Sequence, residues 1–173
     1  MLYSRNIKQY EQNLYSLESL ANAADIPGPK FFYAHLFITH QPYVFRPDGS
    51  LRWPVEATVE AYNDQVRFAN TRLITVLKQL ISESEVPPVI VLQSDHGYTK
   101  AAQERMKILN AYYLPDGGEK QLYPTITPVN TFRLIFNYYF QENLPLLEDR
   151  SFYSPIDRPA KLEEIPVGCP AGE

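Results

Sequence analysis

Two residues side by side, Asp95 and His96, are the first in this chain whose types and spacing suggest chemistry. An aspartate oxygen and an imidazole nitrogen make a two-donor set for Zn, Mn or a similar divalent ion, and a dipeptide at the end of a strand can aim both at one point. Gly97 follows and permits a sharp turn of the backbone. Taken alone, the dipeptide is better read as an Asp that caps a loop beside a His packed on it. A third residue, His40, lies 55 positions earlier (95 − 40), directly after an apolar and aromatic stretch.

These residues need elements to hold them. Pro87 to Gly97 is a β-branched apolar run bounded by a proline pair and a glycine, the pattern of a buried strand in a parallel sheet. Asp95 and His96 then emerge at its carboxyl end, where open α/β sheets bind ligands. Lys30 to Thr39 is aromatic and β-branched enough for a first strand that ends at His40. Within it, His35 reads as a core histidine bonded to a neighbour. Both strand faces are mostly apolar, as expected for a strand covered by helices on each side.

Val55 to about Ser84 carries Val59, Tyr62, Val66, Ala69, Leu73, Val76 and Leu80 in steps of three and four, which predicts a core-facing helix. Between the two strands it would complete a right-handed βαβ unit. Leu2 to Asp25 predicts an amphipathic helix with Leu14, Leu17, Leu20 and Ala21 inward, ended by Ile26-Pro27-Gly28-Pro29. Met106 to Leu114 predicts a third strand, stopped by Pro115-Asp116-Gly117-Gly118. Thr127 and Pro128 are an N-cap and first helical position for a helix to about Gln141, with Val129, Phe132, Ile135 or Phe136, and Tyr139 facing the sheet.

Ser94-Asp95-His96-Gly97 after an apolar strand, with the long helix before it and Thr39-His40-Gln41-Pro42-Tyr43 further upstream, resembles the C-terminal half of a sulfatase-like domain of the alkaline-phosphatase superfamily. The closest likeness is to bacterial membrane-anchored sulfatase, phosphoglycerol transferase and lipoteichoic-acid synthase-like proteins. It extends over Arg105 to Pro115 and Tyr123 to Phe140, and in all from about Lys30 to about Ser154. The resemblance implies an α/β fold: a mainly parallel sheet flanked by helices on both faces. One domain would span residues 1–173, with a helical lead-in over 1–29, the family-like core over 30–154 and an irregular tail over 155–173.

It also implies roles. Asp95 and His96 become metal ligands for a divalent ion, with Mn, Zn, Ca and Mg not distinguished. His40, which without the resemblance reads as a loop histidine on the surface, becomes the catalytic residue that contacts the sulfate or phosphate group, or a second metal in two-metal members, converging with the pair at one edge of the sheet. The substrate would be a sulfate or phosphate ester. The family's nucleophile and first acidic ligand belong to an upstream half, and nothing before Lys30 resembles either: there is no Cys-x-Pro-x-Arg signature. The upstream part of the same protein, membrane-anchored, is therefore the expected partner, and the isolated chain is expected to be inactive. Many sulfatases carry Asp about where Asn70 stands here, a departure at a structural position. The alternative function is a non-catalytic α/β scaffold or binding module with a vestigial metal site.

Composition narrows the classes. Across 173 residues, 45% hydrophobic and 13% aromatic content is enough for a substantial core, so a disordered chain is excluded. Sixteen basic against twenty acidic residues, a net charge of −4 and no basic run argue against nucleic acid as partner. One cysteine, Cys169, excludes an internal disulfide framework. No run approaches the roughly 20 apolar residues of a membrane span, so the chain as given is expected to be soluble. In the loop from Tyr43 to Pro54, Arg46, Arg52 and Trp53 are candidates to overhang the site, against the ordinary reading of solvated loop arginines. After the pair, Thr99 and Lys100 stand in a polar loop, Lys100 being a candidate neighbour of an anion or simply a solvated lysine. Ser94 has no partner base indicated and is not read as a nucleophile.

Overall fold

The first element is α1, Leu2–Ala21, continued by a 3-10 turn over Asn22–Asp25. The computed structural model describes residues 2–98 and 102–166. Thr99, Lys100 and Cys169 lie outside the described residues. The chain divides into two compact units, Met1–Pro87 and Pro88–Glu173.

In the first unit, Ile26 turns extended and ends the helical path, and the Lys30 ammonium donates to the carbonyls of Ala24 at 3.0 Å and of Ile26. A cation on the carbonyls at a helix end satisfies acceptors that have no partner within the helix. The long helix α2 runs Val59–Glu83, its first turn capped by Thr58, whose hydroxyl accepts from Ala61 N at 3.1 Å. Between α1 and α2 a tight hairpin, bridged antiparallel at Phe45 and Leu51, inserts its aromatic side chain into the core. Phe45 stacks on Phe68 with centroids 4.4 Å apart. Gly49 turns the hairpin at φ +87°, and a Cβ there would come within 2.7 Å of the Phe68 ring. Leu17, Val44, Phe45, Ala61, Phe68, Ala69 and Val76 form the buried core of this unit. Each fully buried Val, Leu or Phe contributes roughly 1.5–3 kcal/mol.

In the second unit, β1 (Ile90–Gln93) pairs antiparallel with β2 (Asn110–Tyr113), in the register Ile90 to Tyr113 and Gln93 to Asn110. The short helix α3, Ala102–Arg105, lies between them in sequence. The helix α4, Pro128–Tyr139, follows Thr127 and opens on proline, whose missing N–H costs nothing at a first helical position. A second antiparallel pair, β3 (Ser151–Tyr153) with β4 (Glu163–Ile165), is clamped by the Arg150 guanidinium, which donates to both carboxylate oxygens of Glu164 at 2.9 and 2.6 Å.

This architecture corrects the expected fold class. Among the described residues there is no mainly parallel sheet flanked by helices; the strands form two separate antiparallel pairs. Ile90–Gln93 and Asn110–Tyr113 do become strands, but they pair with each other, and β1 is half-buried to exposed rather than central. Lys30 to Thr39 forms no strand: Phe31 and Tyr33 are 79% and 81% exposed, while Ile38 alone of the stretch is buried. With no strand there, the expected βαβ crossover is absent as well. Strand propensity describes a side chain suited to a pleated surface, and a ladder also needs a neighbouring backbone.

Candidate functional site

The antiparallel pair carries its last ladder contact one residue beyond β1. Ser94 N donates to Leu109 O at 2.9 Å, and the Ser94 hydroxyl accepts from Leu109 N at 2.9 Å. The serine side chain thus completes the ladder, a structural use of its oxygen. The chain then leaves the sheet at Asp95 and His96 and is tied down at Gly97, whose N–H donates to Arg105 O at 2.7 Å. A Cβ on Gly97 would lie 2.1 Å from Glu104 O and 2.9 Å from Lys107 O. Only glycine permits this approach, and it sets the point from which the dipeptide projects.

His96 Nδ1 donates to Gly97 O at 2.7 Å. A carbonyl can only accept, so in the neutral ring this contact puts the proton on Nδ1 and leaves Nε2 to bind, the tautomer that a backbone carbonyl commonly imposes on a metal-ligating histidine. Nε2 stands 3.7 Å from Asp95 Oδ2, too long for a hydrogen bond. Ligands about 2.0–2.2 Å from one tetrahedral ion lie roughly 3.4 Å apart, so the two donors span nearly the required bite. The Asp95 side chain is 82% exposed and that of His96 37%. The pair therefore fits a divalent ion as two donors. Among the described residues no group of three or more His, Cys, Asp and Glu side chains is placed to hold one.

His40 belongs to the first unit. Gln65, fully buried on α2, accepts from Val44 N at 2.7 Å and Phe45 N at 3.1 Å, and its Nε2 donates to His40 O at 3.2 Å. One side chain thus bolts residues 40 to 45 onto the helix. His40 Nδ1 donates to Gln41 O at 2.6 Å, the same tautomer-setting bond seen in His96. His40 is exposed and lines an open cleft against α1.

His35 lines that cleft too and is exposed, so it is not the buried core histidine expected; its ring lies 4.5 Å from that of Phe37. The cleft's cations, Arg5 and Lys8, were missed in the sequence, where two bases at i and i+3 on a polar helix face are unremarkable without a facing histidine. The loop arginines are already committed. Arg46 donates to Leu51 O at 2.7 Å, and Arg52 pairs with Asp64, which also holds Arg67 at 3.2 Å.

The chain matches no protein-family model, no curated protein sequence and no solved structure. Among the described residues no helix is long and apolar enough to cross a membrane.

Proposed function

We propose that the chain is part of a metal-dependent sulfatase-like hydrolase or phospho- or sulfotransfer enzyme acting on sulfate or phosphate esters. The single observation that carries this reading is the Asp95–His96 dyad: two donors 3.7 Å apart, with His96 held in the metal-ligating tautomer by Gly97. The antiparallel fold lends it no support; it rests on the dyad's geometry and on the resemblance of the Ser94-Asp95-His96-Gly97 segment. Asp95 and His96 would hold the ion, which when bound polarises the ester oxygen. His40 would contact the sulfuryl or phosphoryl group.

Two protein donors hold such an ion weakly, since about four ligands complete a zinc-type site. The remaining donors and the nucleophile are assigned to an upstream part of the same protein, membrane-anchored. Turnover of p-nitrophenyl sulfate and of bis-p-nitrophenyl phosphate by the longer protein, with and without added Mn, tests this. Metal-dependent turnover lost in both Asp95→Ala and His96→Ala is expected. Turnover undiminished in either variant removes the dyad from the mechanism. Absent turnover, together with no metal uptake by the longer protein, leaves the binding-module reading.

A further inference from the structure

The cleft beside His40 has a composition that the dyad does not explain. It is an open cleft of about 710 Å³ between α1 and residues 35–41, a volume within the range of small-molecule sites. Arg5 and Lys8 line one wall and the imidazoles of His35 and His40 the other; among the described residues no carboxylate lines it. Neither Arg5 nor Lys8 is ion-paired with another described residue. In a chain of net charge −4, two cations and two imidazoles facing one space, with no acid among the described lining residues, are a local reversal of sign. Such a space concentrates anions. A guanidinium and an ammonium together match the oxygens of a tetrahedral oxyanion.

The cleft also carries a flat apolar surface. Phe37 is 53% exposed and stands between the two imidazoles, with centroids 4.5 Å from His35 and 6.0 Å from His40. Tyr15, 72% exposed, belongs to the same lining. A free oxyanion has no use for these rings, whereas a ring bearing the oxyanion covers one of them.

We propose that this cleft binds a phosphate or sulfate monoester of a ring compound, with Arg5 and Lys8 on the oxyanion and Phe37 against the ring. The assignment rests on the reading of His40 given above and on no part of the Asp95–His96 dyad, because it requires no metal. It makes Arg5, Lys8 and His35 binding residues and gives α1 a function besides covering the core.

The test is calorimetric titration of the 173-residue chain in EDTA with p-nitrophenyl phosphate, p-nitrophenyl sulfate, inorganic phosphate and p-nitrophenol. One of the two esters is expected to bind at least about tenfold more tightly than either fragment, and the preferred ester names the oxyanion. Arg5→Ala and Lys8→Ala should each weaken that ester about tenfold, the size of one charge-assisted hydrogen bond. Lys8→Arg should retain it, and Lys78→Ala, a lysine outside the cleft, should leave it unchanged. Alanine favours helix, so loss of α1 does not account for weakened binding in the alanine variants. Unchanged affinity in the Arg5→Ala, Lys8→Ala double variant overturns the proposal, as does p-nitrophenol or inorganic phosphate binding as tightly as the ester. Asp95→Ala separates the two readings: its ester binding in EDTA should equal wild type, and metal-dependent turnover undiminished in the longer protein carrying it sinks the dyad mechanism and leaves the cleft standing.

Discussion

Gln65 donates its side-chain amide to the backbone carbonyl of His40 at 3.2 Å from a position on α2 with no solvent exposure. The other end of the same amide accepts from Val44 N and Phe45 N, two residues that are themselves fully buried. A candidate site residue on an exposed loop is thus positioned by a helix glutamine that no solvent reaches.

Gln65→Leu is therefore expected to destabilise the first unit by about 2–4 kcal/mol, because it leaves two buried N–H groups without an acceptor. Trp53 is the sole tryptophan and lies in this unit, so urea unfolding followed by its fluorescence reports the change. A midpoint equal to wild type would mean that residues 40 to 45 hold their path without the amide.

Gln65 also shows where sequence patterning stops. The α2 end was legible and its start was not: the apolar period points to Val55 to about Ser84, whereas the helix runs Val59–Glu83 behind a Thr58 cap that the pattern did not single out. The inward face was only half legible: Ala69, Leu73 and Val76 are buried as expected, but Val59 is 58% exposed and Ala61 and Gln65 are buried in the first turns. An apolar-only pattern cannot anticipate a buried amide whose partners are backbone groups twenty residues away. The same error recurs in α4, where Thr127 and Pro128 start the helix as expected. Its buried face is Asn130, Thr131, Leu134 and Ile135, while Val129, Phe132 and Phe136 are exposed. Asn130 bonds Leu147 through both its amide ends and Thr131 bonds the Tyr112 hydroxyl. Strand pairing was illegible for a different reason: an apolar run such as Val89 to Leu92 does not state the direction of its neighbour, and here it does not even mark a buried strand, since Val89 is exposed and Ile90 to Leu92 are half-buried.

Asp64 joins Arg52 and Arg67, but the two arginines differ in exposure: 16% of the Arg52 side chain meets solvent against 71% for Arg67. Arg67→Ala should cost under about 0.5 kcal/mol, as exposed pairs do. Asp64→Ala strands the Arg52 charge, whose Nε is already buried without a hydrogen-bond partner among the described residues. It should cost about 2–3 kcal/mol, less than a fully buried pair because both side chains keep some solvent. Urea midpoints of the two variants check the order, and equal losses would show that the pair is solvent-screened.

Asp149 gathers donors from three residues: Thr127 N at 2.7 Å and Oγ1 at 2.6 Å, the Tyr123 hydroxyl at 2.5 Å and Asn130 Nδ2 at 3.2 Å. Burial pushes its carboxyl up, but these hydrogen bonds together outweigh burial and hold it below the ordinary carboxylate value of 3.8. A folded-state value below the unfolded one makes this stability fully present above pH about 4 and lost as pH falls through the folded value. Asp149→Asn should therefore be less stable than wild type at neutral pH by about 1–3 kcal/mol, with the gap closing below pH 4. Hydrogen exchange of the α4 amides at pH 7 and thermal unfolding by tyrosine circular dichroism at pH 3 to 7 measure it. A gap constant with pH would place the effect in packing and not in the charge.

Gly97 and Asp95 should separate geometry from ligation. Gly97→Ala drives a Cβ to within 2.1 Å of Glu104 O, so the backbone at Gly97 or at Glu104 must shift, at a cost of about 1–3 kcal/mol. The shift moves Gly97 O, the acceptor that sets the His96 tautomer. Asp95→Ala removes a side chain that is 82% exposed and should change stability by no more than about 0.5 kcal/mol. Both variants should lose Mn uptake, measured by electron paramagnetic resonance on the longer protein, but only Gly97→Ala should also alter the His96 Nδ1 shift in the metal-free chain, since Nδ1 is the atom bonded to Gly97 O. Mn uptake retained in Gly97→Ala would mean that Asp95 and His96 find the ion without the tight turn, and the close approach of Gly97 to Glu104 would then be a packing feature alone.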